Sequence, residues 1–180
     1  MIVLLEGLNC TGKTTLANLF QYHLNLPIVK FNVPGEDPYH EFKERLEAAI
    51  AEHQHFIVDR LHLSNFAYFG RLGGGVLIPG DWTKIDKLLW TNKAFLYWML
   101  DTPQAIEARL KVREGRNDQA EQLNRESLGS IHNRFQRAYD MSSIEPKGSF
   151  MLPQFYDDFV TPQFRHNVLL MKACMAGMTL

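Results

Sequence analysis

A chain of 180 residues, 46% hydrophobic and 22% charged, has the size and balance of one ordinary globular domain whose core needs neither disulfides nor structural metal. Its formal net charge of -1 excludes a broad basic field and argues against nucleic acid as a partner, so any anion must be held by a local cluster. Cys10 and Cys174 lie outside any metal-binding spacing and read as reduced thiols of a cytoplasmic protein, and no apolar run approaches the roughly 18 residues a membrane span requires, so no membrane partner is expected.

In chain order, Ile2 to Glu6 form a short apolar run that suits a strand buried on both faces, not a signal peptide, since no basic segment precedes it. A helical pattern follows over residues 13–24. A second strand is expected over 26–31, closed by the turn Asn32-Val33-Pro34-Gly35. Residues 39–53 are amphipathic, with Phe42, Leu46, Ala49 and Ile50 on one stripe. A third strand covers 55–59, and a helix starts near Ser64. The glycine-rich stretch 70–80 reads as a loop. A helix over 82–90, a very apolar strand over 94–101 and a helix from Pro103 to about residue 113 follow. Residues 114–120 are polar, 121–142 read as a long helix, 150–152 as a short fifth strand and 162–176 as a last helix. This alternation predicts an α/β fold of three layers, a central five-stranded parallel sheet flanked by helices, as one domain over 1–180. Ligands of such sheets bind at the carboxyl ends of the strands.

Gly7-Leu8-Asn9-Cys10-Thr11-Gly12-Lys13-Thr14 matches GxxxxGK[ST] in full, after a strand and at the start of a helix. The glycines let backbone N–H groups curl around phosphate oxygens, and the helix dipole points at the same anion. The motif predicts ATP as the ligand, cradled by Gly7, Asn9, Cys10, Thr11, Gly12, Lys13, Thr14 and Thr15, with Lys13 on the β- and γ-phosphates and Thr14 on Mg²⁺.

Two further features bear on the reaction. At the end of the third strand, Asp59 can hold the metal or take a proton, and Arg60 can clamp an anionic acceptor. Downstream, Arg109, Lys111, Arg113, Arg116 and Arg125 cluster around a polar connection, which predicts a lid at about 110–120 that closes over the transferring phosphate. The GTPase pattern is missing, because Asp59 is followed by Arg60-Leu61-His62 and Asn92-Lys93 by Ala94-Phe95. His62, near Asp59, reads as a packed histidine ahead of a proton relay.

Leu5-Glu6-Gly7 through Thr15, Val33-Pro34-Gly35, Asp59-Arg60-x-x-x-Ser64-x-x-Ala67-Tyr68, Leu100-Asp101, the arginine-rich stretch and the helix from Glu126 to Tyr139 resemble the thymidylate kinase family of nucleoside monophosphate kinases, in particular compact viral or phage versions. Deoxynucleoside kinases share that fold. The resemblance implies phosphoryl transfer from ATP to a nucleotide substrate, thymidylate or a related pyrimidine deoxynucleotide. It implies catalytic roles for Lys13, Asp59, Arg60, Arg113 and Arg116, metal binding by Thr14 and Asp59, and an acceptor pocket of Arg60, Ser64, Tyr68 and an aromatic residue, Phe42 or Tyr39. The family often forms homodimers through a helical face; apolar helices here serve equally as core. Asn9, Cys10, Val33 and Phe69 depart from the family pattern, which leaves the acceptor base open, and residues 150–180 match poorly. Two alternatives stay open: a deoxynucleoside kinase with Asp59 as base, and a nucleotide-dependent switch without acceptor chemistry.

Overall fold

A computed structural model describes residues 1–31, 34–68, 74–113, 125–151 and 161–177. The elements alternate as β1 (Ile2–Gly7), α1 (Lys13–Leu24), β2 (Ile28–Lys30), α2 (Pro38–Glu52), β3 (Phe56–Asp59), α3 (His62–Ala67), α4 (Pro79–Thr91), β4 (Ala94–Leu100), α5 (Pro103–Arg113), α6 (Arg125–Met141), β5 (Lys147–Met151) and α7 (Pro162–Met175). The five strands form one parallel sheet in the order β2-β3-β1-β4-β5. The α/β fold expected from the alternation is the one observed.

The sheet divides the core because strand side chains alternate between faces. Ile2 and Leu4 of β1 join Phe56, Val58, Leu96 and Trp98 in one cluster, covered by apolar stripes of α2, α3, α4 and α6. Val3 and Leu5 join Ile57, Tyr97 and Met99 in the other, covered by Leu16 and Phe20 of α1 and Phe164 and Met171 of α7. All of β1 is buried, which is why its sequence runs apolar without alternation. Truncating Leu4 to Ala there should cost about 3 kcal/mol.

Helix starts follow local chemistry. Asp37 caps α2 by accepting the His40 N–H at 3.1 Å, with Pro38 at the first helical position. Thr161 caps α7 by accepting the Phe164 N–H at 3.1 Å.

Two strands differ from expectation. β2 is only three residues long, against the six-residue apolar run 26–31. β5 begins at Lys147 rather than residue 150, pairing Lys147, Gly148 and Ser149 with Leu96, Tyr97 and Trp98. A polar, glycine-containing start carries little strand signal, so tertiary pairing with β4 decides it. The predicted residues 121–124, Asn32-Val33 and Leu152 lie outside the described residues.

The strand order reverses between β1 and β4. In register, Leu5 lies beside Asp59 of β3 and Gly7 beside Met99 of β4. The carboxyl ends of β1, β3 and β4 therefore open on one crevice, at the switch point where parallel sheets bind ligands.

Candidate active site

The loop after β1 turns through left-handed backbone. Gly7 has φ 141°, Cys10 φ 62° and Gly12 φ 81°. A Cβ on Gly7 would meet the Met99 carbonyl at 2.6 Å, so glycine alone lets β1 leave the sheet against β4. Gly12 caps α1 without a side chain, and no acid stands in the first turn of that helix. Its N-terminal N–H groups and dipole are thus left to an external anion.

Within the loop, the Thr11 hydroxyl donates to the Leu8 carbonyl at 2.8 Å. Lys13 is buried and donates to the carbonyls of Gly7, at 2.8 Å, and Leu8. Burial holds the Lys13 ammonium well below the usual lysine range, and the Arg60 guanidinium pushes the same way. Asp59 and Glu6 oppose them. A lysine kept from water beside another cation is a strong receptor for polyphosphate charge.

Thr14 Oγ1 lies 3.4 Å from Asp59 Oδ2. Asp59 Oδ1 is buried and has no hydrogen-bond partner among the described residues. A hydroxyl facing a carboxylate with a spare buried oxygen is the donor set Mg²⁺ takes when it keeps most of its waters and phosphate oxygens. Thr14 and Asp59 fit that ion.

Arg60 also has left-handed backbone, φ 70°. Its N–H donates to the Leu5 carbonyl at 3.0 Å. Its Nη2 donates to Asn9 Oδ1, and its guanidinium lies 5.8 Å from the centre of the Tyr68 ring. The Asn9 N–H in turn donates to the Tyr68 hydroxyl at 2.8 Å. Burial pushes the Tyr68 phenol above its usual range, although Arg60 opposes the shift. Tyr68 stands edge-on to Phe135 of α6, 5.7 Å between ring centres, so it braces Asn9 against the helical layer. Among the described residues no carboxylate pairs with Arg60, and its charge remains available to an anion.

The structure therefore brings together the phosphate loop, Asp59, Arg60 and Tyr68. Other predicted site residues are placed differently. Ser64 is buried and gives its hydroxyl to Glu6. Phe42 is buried in the core, edge-on to Phe31 at 6.1 Å. Tyr39 lies in a groove between α2 and α4, with the Lys84 ammonium 4.7 Å over its ring. Arg109, read as part of the lid, pairs with Asp101 and donates to the Cys10 carbonyl at 2.9 Å, fastening α5 to the phosphate loop. Arg113 ends α5. Arg116 and the rest of the predicted lid beyond residue 113 lie outside the described residues. Both cysteines are free.

Sequence reading missed Glu6. It is fully buried at the end of β1 and accepts the N–H groups of Leu61 and Leu63 at 2.8 and 3.1 Å. Its signals are a charged residue inside an otherwise apolar strand and its place in the Leu5-Glu6-Gly7 stretch of the resemblance, and neither names its partners. His62 sits in a separate network, with Nε2 2.7 Å from Asp86, and is a packed histidine.

No family model matches the sequence, and comparison with curated proteins finds no match. Solved structures do match in fold. The YorR protein of Bacillus subtilis, in complex with phosphorylated GDP, superposes with a TM-score of 0.74 at 20% identity, covering 98% of each chain. This chain shares that fold. Deoxyadenosine kinase from M. mycoides aligns over 99% of this chain and 100% of its own with a TM-score of 0.57 at 15% identity. Polyphosphate kinase 2 from Arthrobacter aurescens aligns over 99% of this chain and 69% of its own, with a TM-score of 0.66 at 11% identity. Among the described residues no helix is long and apolar enough to cross a membrane.

Proposed function

We propose that this protein transfers the γ-phosphoryl group of ATP to a nucleoside monophosphate, with thymidylate or a related pyrimidine deoxynucleotide as the leading acceptor. The observation that carries the reading is Arg60. It is a cation with no acidic partner among the described residues, held by Asn9 at the edge of the phosphate loop and beside Asp59. Placed there, it can clamp the phosphate of a second nucleotide bidentately.

In this reading the loop amides and Lys13 hold the β- and γ-phosphates, and Arg60 holds the acceptor phosphate in line with the γ-phosphorus. An acceptor oxygen forms the new P–O bond as the β–γ bridge breaks, leaving ADP and the acceptor one phosphate longer. An ionised phosphate needs no strong base, so positioning and charge neutralisation supply the rate. Mg²⁺, held by Thr14 and Asp59, would neutralise charge on the β- and γ-oxygens. Arg113 and Arg116 would close from the lid, and Tyr68 would fix the Arg60 end of the acceptor site.

A second reading has its own observation. The unpartnered Asp59 Oδ1 is suited to taking a proton from a nucleoside 5′-hydroxyl, which makes a deoxynucleoside kinase the alternative. A screen with Mg·ATP across deoxynucleosides and nucleoside monophosphates, guanine and adenine included, separates them. Monophosphate-stimulated ADP release supports the first reading. Stimulation by nucleosides alone replaces it with the second, and no stimulation by either removes both.

A further inference from the structure

Glu6 is fully buried, yet it belongs neither to the phosphate loop nor to the metal pair. Its partners all lie just past Arg60. Oε1 accepts the Leu61 N–H at 2.8 Å and the Leu63 N–H at 3.1 Å, and Oε2 accepts the Ser64 hydroxyl. Helix α3, which starts at His62, has no side-chain cap of its own at Leu61. The strand neighbour β1 caps it instead, through a carboxylate more than fifty residues earlier in the chain.

The consequence falls on Arg60. Its own N–H is bound to the Leu5 carbonyl at 3.0 Å, and the next N–H, that of Leu61, is bound to Glu6. Two consecutive residues of β1 thus grip both peptides of Arg60 and hold it at φ 70°, a region that side-chain-bearing residues avoid. That backbone turn carries the guanidinium back over the phosphate loop to Asn9. A lone buried carboxylate is costly, and here three donors offset the cost.

We infer that Glu6 is a positioning residue for phosphoryl transfer, whose buried carboxylate clamps the Arg60 backbone in the left-handed turn that aims the guanidinium at the phosphate loop. The kinetic part of this inference rests on Arg60 being the acceptor clamp.

The test is a double-mutant cycle on Glu6→Gln and Arg60→Ala, read as acceptor KM and ATP KM, with a crystal structure of Glu6→Gln. Glu6→Gln keeps the volume but removes the charge that strengthens all three bonds; its oxygen can still accept the two backbone N–H groups, and its NH₂ turns the Ser64 bond round. It should raise the acceptor KM roughly tenfold, the scale of one charged hydrogen bond, with a much smaller change in ATP KM. In the Arg60→Ala background the same change should have little further effect, because the residue it positions is gone. Arg60 in the crystal should leave the left-handed region and lose its bond to Asn9. Should Glu6→Gln not fold, Glu6→Asp, which keeps the charge but falls short by one methylene, takes its place with the same expectations. Fully additive effects, an unchanged acceptor KM, or Arg60 still at its φ and on Asn9 overturn the inference. An Arg60→Ala enzyme with unaltered acceptor KM instead refutes the acceptor-clamp reading and leaves the crystallographic outcome to decide on Glu6.

Discussion

Two buried aspartates, Asp59 and Asp86, divide the molecule's charged interior into different kinds of site. Asp86 of α4 is saturated. It accepts from His62 Nε2 at 2.7 Å, the Ser142 hydroxyl at 3.0 Å, and the Ser143 N–H and hydroxyl at 2.6 and 3.2 Å. The backbone of His62 and Asp86 is ordinary helix. Asp59, at the end of β3, has one oxygen near Thr14 and the other without a hydrogen-bond partner among the described residues, and is followed by a residue in left-handed backbone. Buried polar groups are normally satisfied, so a spare oxygen beside strained backbone marks a place built for something that comes from outside. The saturated carboxylate joins α3, α4 and the segment before β5, and serves the architecture.

Substitutions should separate the two regions by what they damage. The largest effect belongs to Lys13. Lys13→Met should lower kcat by roughly 10³-fold or more, because the ammonium stabilises charge on the transferring phosphate. Lys13 titrates below its unfolded value, so between those two pKa values the unfolded chain binds more protons and stability climbs with pH; Lys13→Met, with no titrating group there, should lose that part of the climb. Steady-state kinetics and melting curves across that pH window check both halves, and a Lys13→Met protein whose stability climbs as steeply as the wild type contradicts the second.

Asp86→Ala should do the reverse. Leaving His62 and both serines without their acceptor should cost about 3 kcal/mol in urea unfolding, with ATP KM of the folded protein little altered. Next in size is Arg60→Ala, which should raise acceptor KM about thirtyfold, near 2 kcal/mol, while ATP affinity by calorimetry changes little. An equal loss in both affinities would place Arg60 on the donor side.

The smallest effect is a pH dependence. Burial alone would raise the Asp86 carboxyl, but hydrogen bonds from His62, Ser142 and Ser143 outweigh it and hold the group below its usual range. A depressed carboxyl contributes stability above the unfolded value, near 3.9, and loses it as pH falls through the folded value. The urea midpoint should therefore drop more steeply below about pH 4 in the wild type than in Asp86→Asn. Parallel pH curves would remove Asp86 from the acid response.

What was legible in the sequence follows the same division. The phosphate loop was readable because its signal is local: glycine spacing, a strand before and a helix after. Asp59-Arg60 was readable as a charged pair ending an apolar strand. Three residues have partners in the fold that the local sequence pattern does not name. Arg109 shares a helical face with Arg113, yet Asp101 and the Cys10 carbonyl capture it. Ser64 sits in the motif spacing of an acceptor pocket, but its hydroxyl is spent on Glu6, 58 residues away. Phe42 has the aromatic character the pocket asked for and packs on Phe31 instead. Glu6 gave almost no signal, since nothing within one strand says that a buried acid will cap a helix elsewhere.

The central claim is that residues 7 to 14, with Asp59, are shaped around polyphosphate and its metal. Isothermal titration of Mg·ATP into the wild type and Lys13→Met tests it most directly. Saturable 1:1 binding by the wild type, abolished by the substitution and weakened when Mg²⁺ is chelated, is the expected result. No heat from the wild type, or equal binding by both proteins, contradicts it.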